Sequence, residues 1–436
     1  MKHENRRNFL QTTAAALIAS RAVPVLGAND RINMVVIGFG GRGRDHVNFL
    51  SAIPECRIAG ICDVDQAARE RGAALVKKLQ GSDPKTYSDM RQVFDDKSID
   101  AVSFATPNHW HALGTIWACQ AGKDVYVEKP ACHNIFEGRK MIEAARKYKR
   151  MVQVGSQSRS QPHKRLAIEL LGQGVIGKVY MVKGLCFNPR KSIGHTPDTP
   201  VPPGINWDVF LGPAPMRPFS MNRFHYNWHW FWDTGNGDIG NQGVHEMDIA
   251  RWAMKDAGLP NYVSSTGGKF LYEDDQETPN TQLATFEFGG SQILFEVRGL
   301  ITPGEGDVRR ADHFVGDIFF GSEGFMTLDG SGFRIYMGSK RELVRNEPRT
   351  APGSEDTRPH MANFLAAVRS RDYKTLNADV EIGVTSAAYC HLANISYRVG
   401  RRLKVDPTAW RLVNDPAADR LLTRNYRAPF VVPEKV

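Results

Sequence analysis

Several common signals are missing from this chain of 436 residues, and each absence excludes a class of protein. No apolar stretch reaches the roughly 18 residues that a membrane-spanning helix needs. No run of lysine and arginine is interleaved with aromatic residues, which argues against a nucleic-acid partner. The six cysteines form no C-x-x-C pair and show no zinc-like cysteine and histidine spacing, so no metal site is predicted.

The composition that remains is that of a globular protein with more than one domain. Hydrophobic residues make up 42% and charged residues 24% of the chain, and its length exceeds what one ordinary hydrophobic core supports. The formal net charge is +9. Such a mild excess is typical of a solvated surface that tolerates anionic ligands.

The first 28 residues have the order of an export signal. The pair Arg6-Arg7 precedes an apolar stretch at 14–19, and small residues follow near Ala28. This is the pattern of a twin-arginine signal peptide. We therefore predict that residues 1–28 engage the twin-arginine export machinery and that the protein is periplasmic or otherwise exported. A basic tail without an export role is the alternative interpretation.

The stretch 32–43 predicts a strand, a tight turn and the start of a helix. Its apolar run ends in G-x-G-x-x-G. Glycine lets the backbone approach a pyrophosphate, whose charge would lie at the positive end of the helix. The residues of this turn predicted to bind a dinucleotide are Gly38, Phe39, Gly40, Arg42 and Gly43.

A second apolar run, 57–62, ends at Asp63. An acid after the second strand of such a sheet bonds the ribose hydroxyls of the adenosine, and its charge would repel a 2′-phosphate. The sequence therefore predicts NAD rather than NADP as the cofactor. A surface aspartate that begins a helix is the competing interpretation.

The order of elements predicts an α/β fold with two sheets. Strands and helices alternate in the first third, which indicates a doubly wound parallel sheet, the Rossmann arrangement, over residues 29–154. The spacing of Asn134 and Glu137 is that of a capping pair at the start of a helix. The proline- and glycine-rich region 188–218 is predicted to lack regular structure, and the alternating stretches on either side of Gly289-Gly290 predict a hairpin. Helices are predicted over 361–370 and 380–397, followed by a tail. Residues 155–436 are thus predicted to form an α+β domain with a large, mostly antiparallel open sheet.

Two polar segments lie at the carboxyl ends of the fourth and fifth predicted strands, where open α/β sheets bind ligands. They are T-P-N-H-W-H at 106–111 and Glu128-Lys129-Pro130. With the glycine turn and the acid after strand two, this ordered set resembles the Gfo/Idh/MocA family of glucose-fructose oxidoreductase, inositol dehydrogenase and rhizopine catabolism proteins. The resemblance covers essentially the whole chain after the signal. It implies an N-terminal NAD(P) domain and a C-terminal domain that holds the substrate and often builds a homo-oligomer.

The resemblance also implies roles for particular residues. Lys129 would reach the substrate hydroxyl and the nicotinamide ribose, and it is the first catalytic candidate. An ammonium beside a positive nicotinamide has a lowered pKa, which suits proton transfer. A surface lysine at a strand end is the alternative. The other cofactor-binding candidates in these segments are Thr106, Pro107, Asn108, His111, Glu128 and, near the nicotinamide, Gln157.

The second catalytic signature of the family, Asp-x-x-x-His with another Asp three residues on, has its match at 241–248. His245 is predicted to be a proton acceptor near the start of a helix, on the same face as Asp248. The expected Asp is Asn241, an amide that cannot take a proton, and Asp238 could substitute for it. Either His245 works as a base with hydrogen-bond support alone, or the chemistry differs from that of the plain dehydrogenases.

Further substrate candidates come from two segments. Trp228 belongs to an aromatic patch at 225–232; aromatic faces stack on sugars but equally fill cores, so both interpretations stay open. Arg159 follows the sixth strand at the domain junction. The predicted substrate residues are Arg159, Trp228, Asp238, Asn241 and His245.

Export constrains the chemistry. Free nicotinamide cofactor should be scarce outside the cytoplasm, so an exported enzyme would load NAD first, hold it tightly and return it to its starting state in every cycle. The sequence predicts an NAD-dependent oxidoreductase acting on a sugar or sugar derivative. The alternatives are an NAD-dependent glycoside hydrolase, working by oxidation, elimination, hydration and reduction, and a non-catalytic NAD-bound sugar-binding protein.

Overall fold

The structure, a computed structural model, describes residues 31–300, 314–349 and 356–436. The export signal predicted at residues 1–28 lies outside these ranges. Within them, no helix is long and apolar enough to cross a membrane. The described chain builds two sheets, one parallel and one mostly antiparallel.

The first sheet is the predicted doubly wound parallel sheet. Its strands are β1 (Ile32–Ile37), β2 (Cys56–Cys62), β3 (Lys85–Tyr87), β4 (Ala101–Phe104), β5 (Asp124–Val127) and β6 (Val152–Val154), in the order β3-β2-β1-β4-β5-β6. Its helices are α1 (Gly41–Ser51), α2 (Gln66–Gln80), α3 (Met90–Asp95), α4 (Asn108–Gln120) and α5 (Ile135–Lys147). The strand order reverses between β1 and β4, and doubly wound sheets bind ligands at such a switch point.

Local capping signals explain where these helices begin. The side chain of Asp65 accepts a hydrogen bond from the backbone N–H of Ala67 at the start of α2. Asn134 does the same for the N–H of Glu137 at the start of α5, and the Glu137 carboxylate reaches back to the N–H of His133. These bonds satisfy N–H groups that have no partner inside the helix. The capping pair predicted from the sequence is confirmed.

The second sheet follows the order β14-β13-β12-β11-β7-β10-β9-β8-β15-β16. Its neighbouring strands are antiparallel except for β7 and β10, which run parallel. The strands are β7 (Val179–Phe187), β8 (Tyr262–Gly268), β9 (Thr281–Glu287), β10 (Gln292–Arg298), β11 (Phe314–Gly321), β12 (Gly324–Asp329), β13 (Gly332–Met337), β14 (Glu342–Pro348), β15 (Leu403–Asp406) and β16 (Arg411–Leu412). The predicted α/β fold with a mostly antiparallel second sheet is confirmed.

Helices cover one face of this second sheet. The remaining helices are α6 (Pro162–Gly172), α7 (Trp207–Leu211), α8 (Gly237–Asn241), α9 (Gly243–Ala253), α10 (Arg358–Ser370), α11 (Val380–Val399) and α12 (Pro416–Asp419). Leu171 of α6, Met247 of α9 and Leu392 of α11 share one hydrophobic cluster with Phe295 and Phe319 of the sheet. Burial of this apolar surface holds the helices on the sheet.

Two expectations about irregular regions are wrong. The region 188–218 contains α7, because Trp207 and Phe210 enter an aromatic cluster with Phe224 and the Asn206 side chain caps the helix. The predicted tail contains β15, β16 and α12, which extend the second sheet. In both regions, contacts between residues distant in sequence stabilise these elements, and local propensity does not reveal such contacts.

Segments from the C-terminal half also complete the core under the first sheet. Phe364 of α10 packs in one cluster with β1 and β2, and Val384 of α11 packs in another with β4 and β5. Phe430 and Val432 belong to the second of these clusters. Elements from the C-terminal half of the chain therefore pack against the first sheet as well as the second. The domain boundaries given above stay a prediction.

Candidate active site

A cavity of about 490 Å³ lies at the switch point of the first sheet. Volumes of this order are typical of cofactor and small-molecule sites. The predicted residues that line it are Gly38, Phe39, Gly40, Arg42, Asp63, Thr106, Pro107, Asn108, His111, Glu128, Lys129, Trp228 and Asn241. The predicted residues outside its lining are Gly43, Gln157, Arg159, Asp238 and His245.

The glycine turn makes room for a phosphate at the start of α1. Gly38 has φ +88°, and a Cβ on it would lie 2.7 Å from the Ala105 carbonyl oxygen. A Cβ on Gly43 would lie 1.9 Å from the Gly38 carbonyl oxygen, so α1 packs directly on the turn. Gly40 has no atom within 4 Å of a Cβ position and leaves the helix N-terminus without a side-chain cap. Free N–H groups at such an end suit a dinucleotide phosphate.

Asp63 links the glycine turn to the end of β2. Its carboxylate accepts the backbone N–H of Phe39 at 2.6 Å and that of Asp65 at 2.9 Å. Burial raises the pKa of Asp63 above its ordinary value, although both N–H groups favour the ionised form. The carboxylate stands in the cavity wall, next to the turn, where the sequence predicts the adenosine ribose.

Glu128 is a buried carboxylate that lies near the same turn and bonds two basic side chains. It accepts the Arg42 Nε–H at 2.7 Å, and His46 Nε2 lies 2.9 Å from the same oxygen. Burial alone would raise the pKa of Glu128, but Arg42 and His46 hold it well below its usual range. Arg42 also donates to the Thr357 hydroxyl at 3.0 Å. Arg42 and Glu128 thus bind each other, and their contact with a cofactor stays a prediction.

Lys129 follows Glu128 in sequence but has different partners. Its Nζ donates to the Asn241 carbonyl oxygen at 2.9 Å and lies 3.5 Å from the Asn241 side-chain oxygen. In the part of the chain that the structure describes, no ion pair includes this ammonium. Burial lowers the pKa of Lys129, which favours the neutral amine. The negative charge of Glu128 opposes this shift, and the positive charge of Arg42 adds to it. The catalytic role of Lys129 stays a prediction.

The segment 106–111 contributes one free polar group and several occupied ones. The ring nitrogens of His111 contact the carbonyl oxygens of Pro130, at 2.7 Å, and Thr106, at 2.9 Å, so His111 ties two strand ends together. Asn108 donates to the Asn236 side chain at 3.0 Å. The Thr106 hydroxyl is buried at the cavity wall and has no hydrogen-bond partner among the described residues. A ligand in the cavity could supply the bond that this hydroxyl lacks.

A polar network surrounds Asn241. Its side-chain amide donates to the Tyr226 hydroxyl at 3.3 Å and to Asp238 at 3.4 Å. Arg190 donates to both carboxylate oxygens of Asp238, at 2.8 and 3.0 Å, and to the Tyr226 hydroxyl at 3.2 Å. Asp238 is therefore paired with Arg190 rather than with Lys129. The suggestion that Asp238 replaces the carboxylate missing at position 241 finds no contact to support it.

Arg190 is a functional candidate that sequence reasoning did not place in the site, whereas Tyr226 was indicated only as a member of the aromatic patch that could bond substrate hydroxyls. Tyr226 lines the cavity and bonds both Arg190 and Asn241. The aromatic patch 225–232 was a signal for Tyr226, whereas Arg190 lies in the proline- and glycine-rich region and has no local signal.

His245 lies in the first turn of α9, as predicted, but outside the cavity lining. Burial and the nearby Lys129 ammonium lower the pKa of His245 to about 3. The imidazole is therefore neutral near pH 7 and able to accept a proton, although a low pKa makes it a weak base. Its catalytic role stays a prediction.

Arg159 is placed differently from the prediction. Its guanidinium donates to both oxygens of Asp248, at 2.8 and 3.0 Å, and to Asp256 at 2.7 Å. Only 3% of Arg159 is exposed, so these ion pairs occupy it and it does not reach the cavity. It holds the 3₁₀ turn Gln157–Ser160 on α9. In that turn, the buried Gln157 side-chain oxygen has no partner within the described ranges.

The aromatic patch is divided between the cavity wall and the interior. Residues His225–Trp230 form a 3₁₀ helix. Trp228 and His229 stack with ring centroids 3.6 Å apart, and both line the cavity. Trp230 is buried instead, with Arg190 over its ring at 5.4 Å. One tryptophan thus faces the candidate site while its neighbour fills the interior.

No group of three or more histidine, cysteine or acidic side chains that could hold a metal ion occurs in the described segments. The six cysteines are all buried and free. Burial raises the pKa of Cys186 well above its ordinary value, so this thiol stays protonated.

Together, the switch-point cavity, the glycine turn and the half-buried lysine indicate a dinucleotide-binding protein of the oxidoreductase type. Two family models match it: an oxidoreductase family with an NAD-binding Rossmann fold over residues 32–156, and the C-terminal alpha/beta domain of that family over 164–284 and 322–432. The chain therefore belongs to the Gfo/Idh/MocA oxidoreductase family. Its N-terminal sheet is an NAD-binding Rossmann domain, which confirms the predicted cofactor.

Individual relatives are distant. A levoglucosan dehydrogenase from Pseudarthrobacter phenanthrenivorans is 27% identical over 239 residues, which are 54% of this chain and 54% of that protein. A glycosyl hydrolase family 109 protein from Saccharopolyspora erythraea is 25% identical over 218 residues, 49% of this chain and 42% of that protein. The chain thus spans about half the length of each. The WlbA dehydrogenase structure from Bordetella pertussis, in complex with NADH and UDP-GlcNAcA, matches 86% of this chain and 99% of its own with a TM-score of 0.64 at 19% identity, which shows a shared fold.

Proposed function

We propose that this protein is an NAD-dependent oxidoreductase that transfers hydride from and to a sugar or sugar derivative, and that it holds its cofactor tightly. The observation that carries the proposal is the placement of Lys129, a half-buried amine in the wall of a cavity that the glycine turn also lines. The levoglucosan dehydrogenase relative supports a sugar derivative as the substrate class. In this proposal residues 29–154 bind NAD and residues 155–436 hold the substrate.

The cofactor site is assigned to residues whose free groups suit a dinucleotide. The N–H groups beside Gly40 would bind the phosphates, Asp63 the adenosine ribose, and the unpartnered Thr106 hydroxyl a further polar group. When bound there, NAD supplies the hydride acceptor for alcohol oxidation. The protein supplies position, charge and proton transfer.

Lys129 is the proposed proton acceptor for the alcohol that is oxidised. Burial lowers its pKa, and the two Asn241 oxygens orient Nζ without adding a negative charge beside it. A carboxylate at position 241 would stabilise the ammonium instead and oppose deprotonation. The amide in place of the family Asp therefore favours the neutral, proton-accepting amine. His245, neutral near pH 7, is the second proposed proton-transfer group.

A second candidate function is glycoside hydrolysis through transient oxidation. The glycosyl hydrolase family 109 relative favours it, and so does the Tyr226 hydroxyl at the cavity wall, which could take the proton next to the new ketone. The hydride removed in the first step returns in the last, while water replaces the aglycone. A non-catalytic, NAD-bound sugar-binding protein is a third hypothesis, and the Lys129 amine in the cavity wall argues against it.

We also propose twin-arginine export to the periplasm, supported by the sequence pattern of residues 1–28 alone. A homo-oligomer is part of the same proposal. Its support is a second apolar cluster on the second sheet, apart from the helix-covered core, which includes Ile318, Phe320 and Phe325.

The first experiment uses the purified mature protein without added NAD. The protein is denatured to identify any released dinucleotide, and the native protein is incubated with a panel of sugars and aryl glycosides. Released NAD with paired sugar oxidation and reduction supports the oxidoreductase, whereas liberation of aglycone supports the hydrolase. An empty protein that reduces added NAD with a free sugar contradicts tight retention.

A further inference from the structure

One segment of the second domain crosses over the cavity and pairs with the nucleotide domain. We define residues 204–214 as the strap. The Gly204 carbonyl oxygen accepts the N–H of Gln66 at 2.9 Å, and the N–H of Asn206 donates to the Val64 carbonyl oxygen at 3.0 Å. These two bonds form an antiparallel bridge between Ile205 and Asp65. The bridge lies just after Asp63, in the loop between β2 and α2.

The strap is anchored a second time on α4, across the switch point. The indole N–H of Trp110 donates to the carbonyl oxygens of Val209 and Phe210, each at 3.0 Å, and His109 Nε2 lies 2.9 Å from the latter. A Cβ on Gly212 would lie 2.1 Å from the Trp110 ring, so the strap rests directly on this side chain. It therefore spans the cleft from the loop after β2 to the helix after β4.

The C-terminal segment and an apolar cluster fix the strap in place. Arg427 donates to the Asp208 carbonyl oxygen at 2.7 Å and to that of Gly212 at 3.1 Å. Trp207 and Phe210 stack with centroids 4.8 Å apart, in a cluster against which Val64 packs. Buried aromatic contacts of this kind give a segment one defined position.

The strap also forms part of the cavity wall. Val209 and Phe210 line the same cavity as Asp63 and the glycine turn. A ligand whose adenosine end lay at Asp63 would thus be enclosed between the nucleotide domain and a segment of the substrate domain.

We propose that the strap retains the dinucleotide, and that the Asp65–Ile205 bridge must open before the dinucleotide can leave. This inference rests on the proposed function for the identity of the ligand. It assigns the tight retention to particular residues of this chain, which form a fixed cover over the adenosine end of the site.

A reversible cross-link tests the proposal. The bonds flanking Asp65 and Ile205 make them a non-hydrogen-bonded antiparallel pair, in which Cα atoms lie about 4.5 Å apart and side chains are close. That distance suits a disulfide. In the double variant Asp65→Cys/Ile205→Cys, loaded with NAD, the release of NAD into a large excess of labelled NAD is measured before and after reduction. The control is Asp65→Ser/Ile205→Ser under both conditions.

We expect the oxidised double variant to release NAD at least about tenfold more slowly than its reduced form, since release then requires a covalent bond to break. The serine control should release NAD at the same rate in both conditions. Equal rates in the oxidised and reduced forms overturn the proposal while leaving NAD binding intact. Absence of any NAD binding by the wild-type protein overturns both this proposal and the proposed function.

A single substitution tests whether weakening the bridge makes NAD release faster. Ile205→Asp places a carboxylate opposite Asp65, and like charges directly opposite destabilise a strand pair. We expect about tenfold faster NAD release, the effect of losing roughly one hydrogen bond. Ile205→Val, which keeps a β-branched apolar side chain, should behave as the wild type. An unchanged release rate in Ile205→Asp, with the fold intact by circular dichroism, contradicts the proposal.

Discussion

The cavity has two ends with opposite electrostatics, although Glu128 and Lys129, which mark them, are adjacent in the sequence. At the nucleotide end, Glu128 is buried and ionised because Arg42 and His46 bond its carboxylate. At the substrate end, Lys129 is half-buried, and its Nζ bonds only the uncharged oxygens of Asn241. Burial lowers the pKa of Lys129, and the nearby Glu128 charge opposes this shift without reversing it.

This difference distinguishes a charge that stabilises the fold from a charge that can take part in proton transfer. A buried charge with full partners stays in one protonation state, and losing one partner destabilises the fold. A buried charge without a counter-ion changes its protonation state easily, which suits proton transfer. The nucleotide end is thus built to stay fixed, and the substrate end to exchange a proton.

The largest effect is expected when the proposed proton acceptor at the substrate end is removed. Lys129→Ala should reduce turnover by about 10³-fold, because it removes the proposed proton acceptor. The measurement is kcat for sugar oxidation, with sugar binding followed separately by calorimetry. Binding should survive, since most cavity contacts remain. Unchanged turnover would show that Lys129 is not catalytic.

A substitution at the nucleotide end should instead lower the stability of the fold. Glu128→Gln should lower the free energy of unfolding by about 3 kcal/mol, because it leaves Arg42 and His46 without their shared carboxylate. Chemical denaturation at pH 7 measures this loss. Because the pKa of Glu128 is depressed, its contribution exists at pH 7 and is lost as the pH falls below the ordinary value of 4.5. Wild type and variant should therefore converge in stability at low pH; a constant difference at every pH would contradict the assignment.

A second carboxylate, placed at the substrate end of the cavity, tests the role of the Asn241 amide. Asn241→Asp places a carboxylate beside the Lys129 ammonium and should raise the pKa of Lys129 by about one unit or more. The acidic limb of the pH profile of kcat/KM for oxidation should then move to higher pH by the same amount. Asn241→Ser is the matched control, since it adds no charge. A profile that does not move would remove Lys129 as the titrating base.

The smallest expected effect has the opposite sign from that of Glu128→Gln. Lys129→Met should raise the free energy of unfolding at pH 7 by about 1 kcal/mol, because it replaces an amine that burial disfavours with an apolar side chain of similar length. Since the pKa of Lys129 is lowered in the folded state, wild-type stability should rise with pH towards the ordinary value of 10.5. The gain should shrink as the pH increases. Thermal unfolding at pH 7 and pH 9 measures both trends, and a loss of stability at pH 7 would show that the ammonium is well stabilised.

Features predicted correctly from the sequence are those that depend on a few neighbouring residues. The glycine turn, the Asn134 cap of α5 and the hairpin around Gly289 each follow from local backbone geometry. The pairing of parallel strands in the first sheet follows from alternation of elements and one switch point. These signals suffice for the fold class and for the position of the cavity.

Features that the sequence did not reveal depend on contacts between distant residues. Arg159 pairs with Asp248, far along the chain, so its position beside a strand end gave no sign of its use. Arg190 reaches Tyr226 and Asp238 from the segment between β7 and α7, which contains no helix or strand. Helix α7 forms because aromatic side chains meet in space, and local propensity does not encode that meeting.

The packing of Phe430 and Val432 shows that the core beside the dinucleotide site is assembled from distant parts of the chain. Both side chains lie in the same cluster as Val102 of β4 and Leu113 of α4. Phe430 also packs edge-on against Trp110, which lines the cavity, with ring centroids 5.5 Å apart. Residues 29–154 alone therefore do not contain the whole of this core, and the wall of the cavity depends on side chains that follow the second sheet in the sequence.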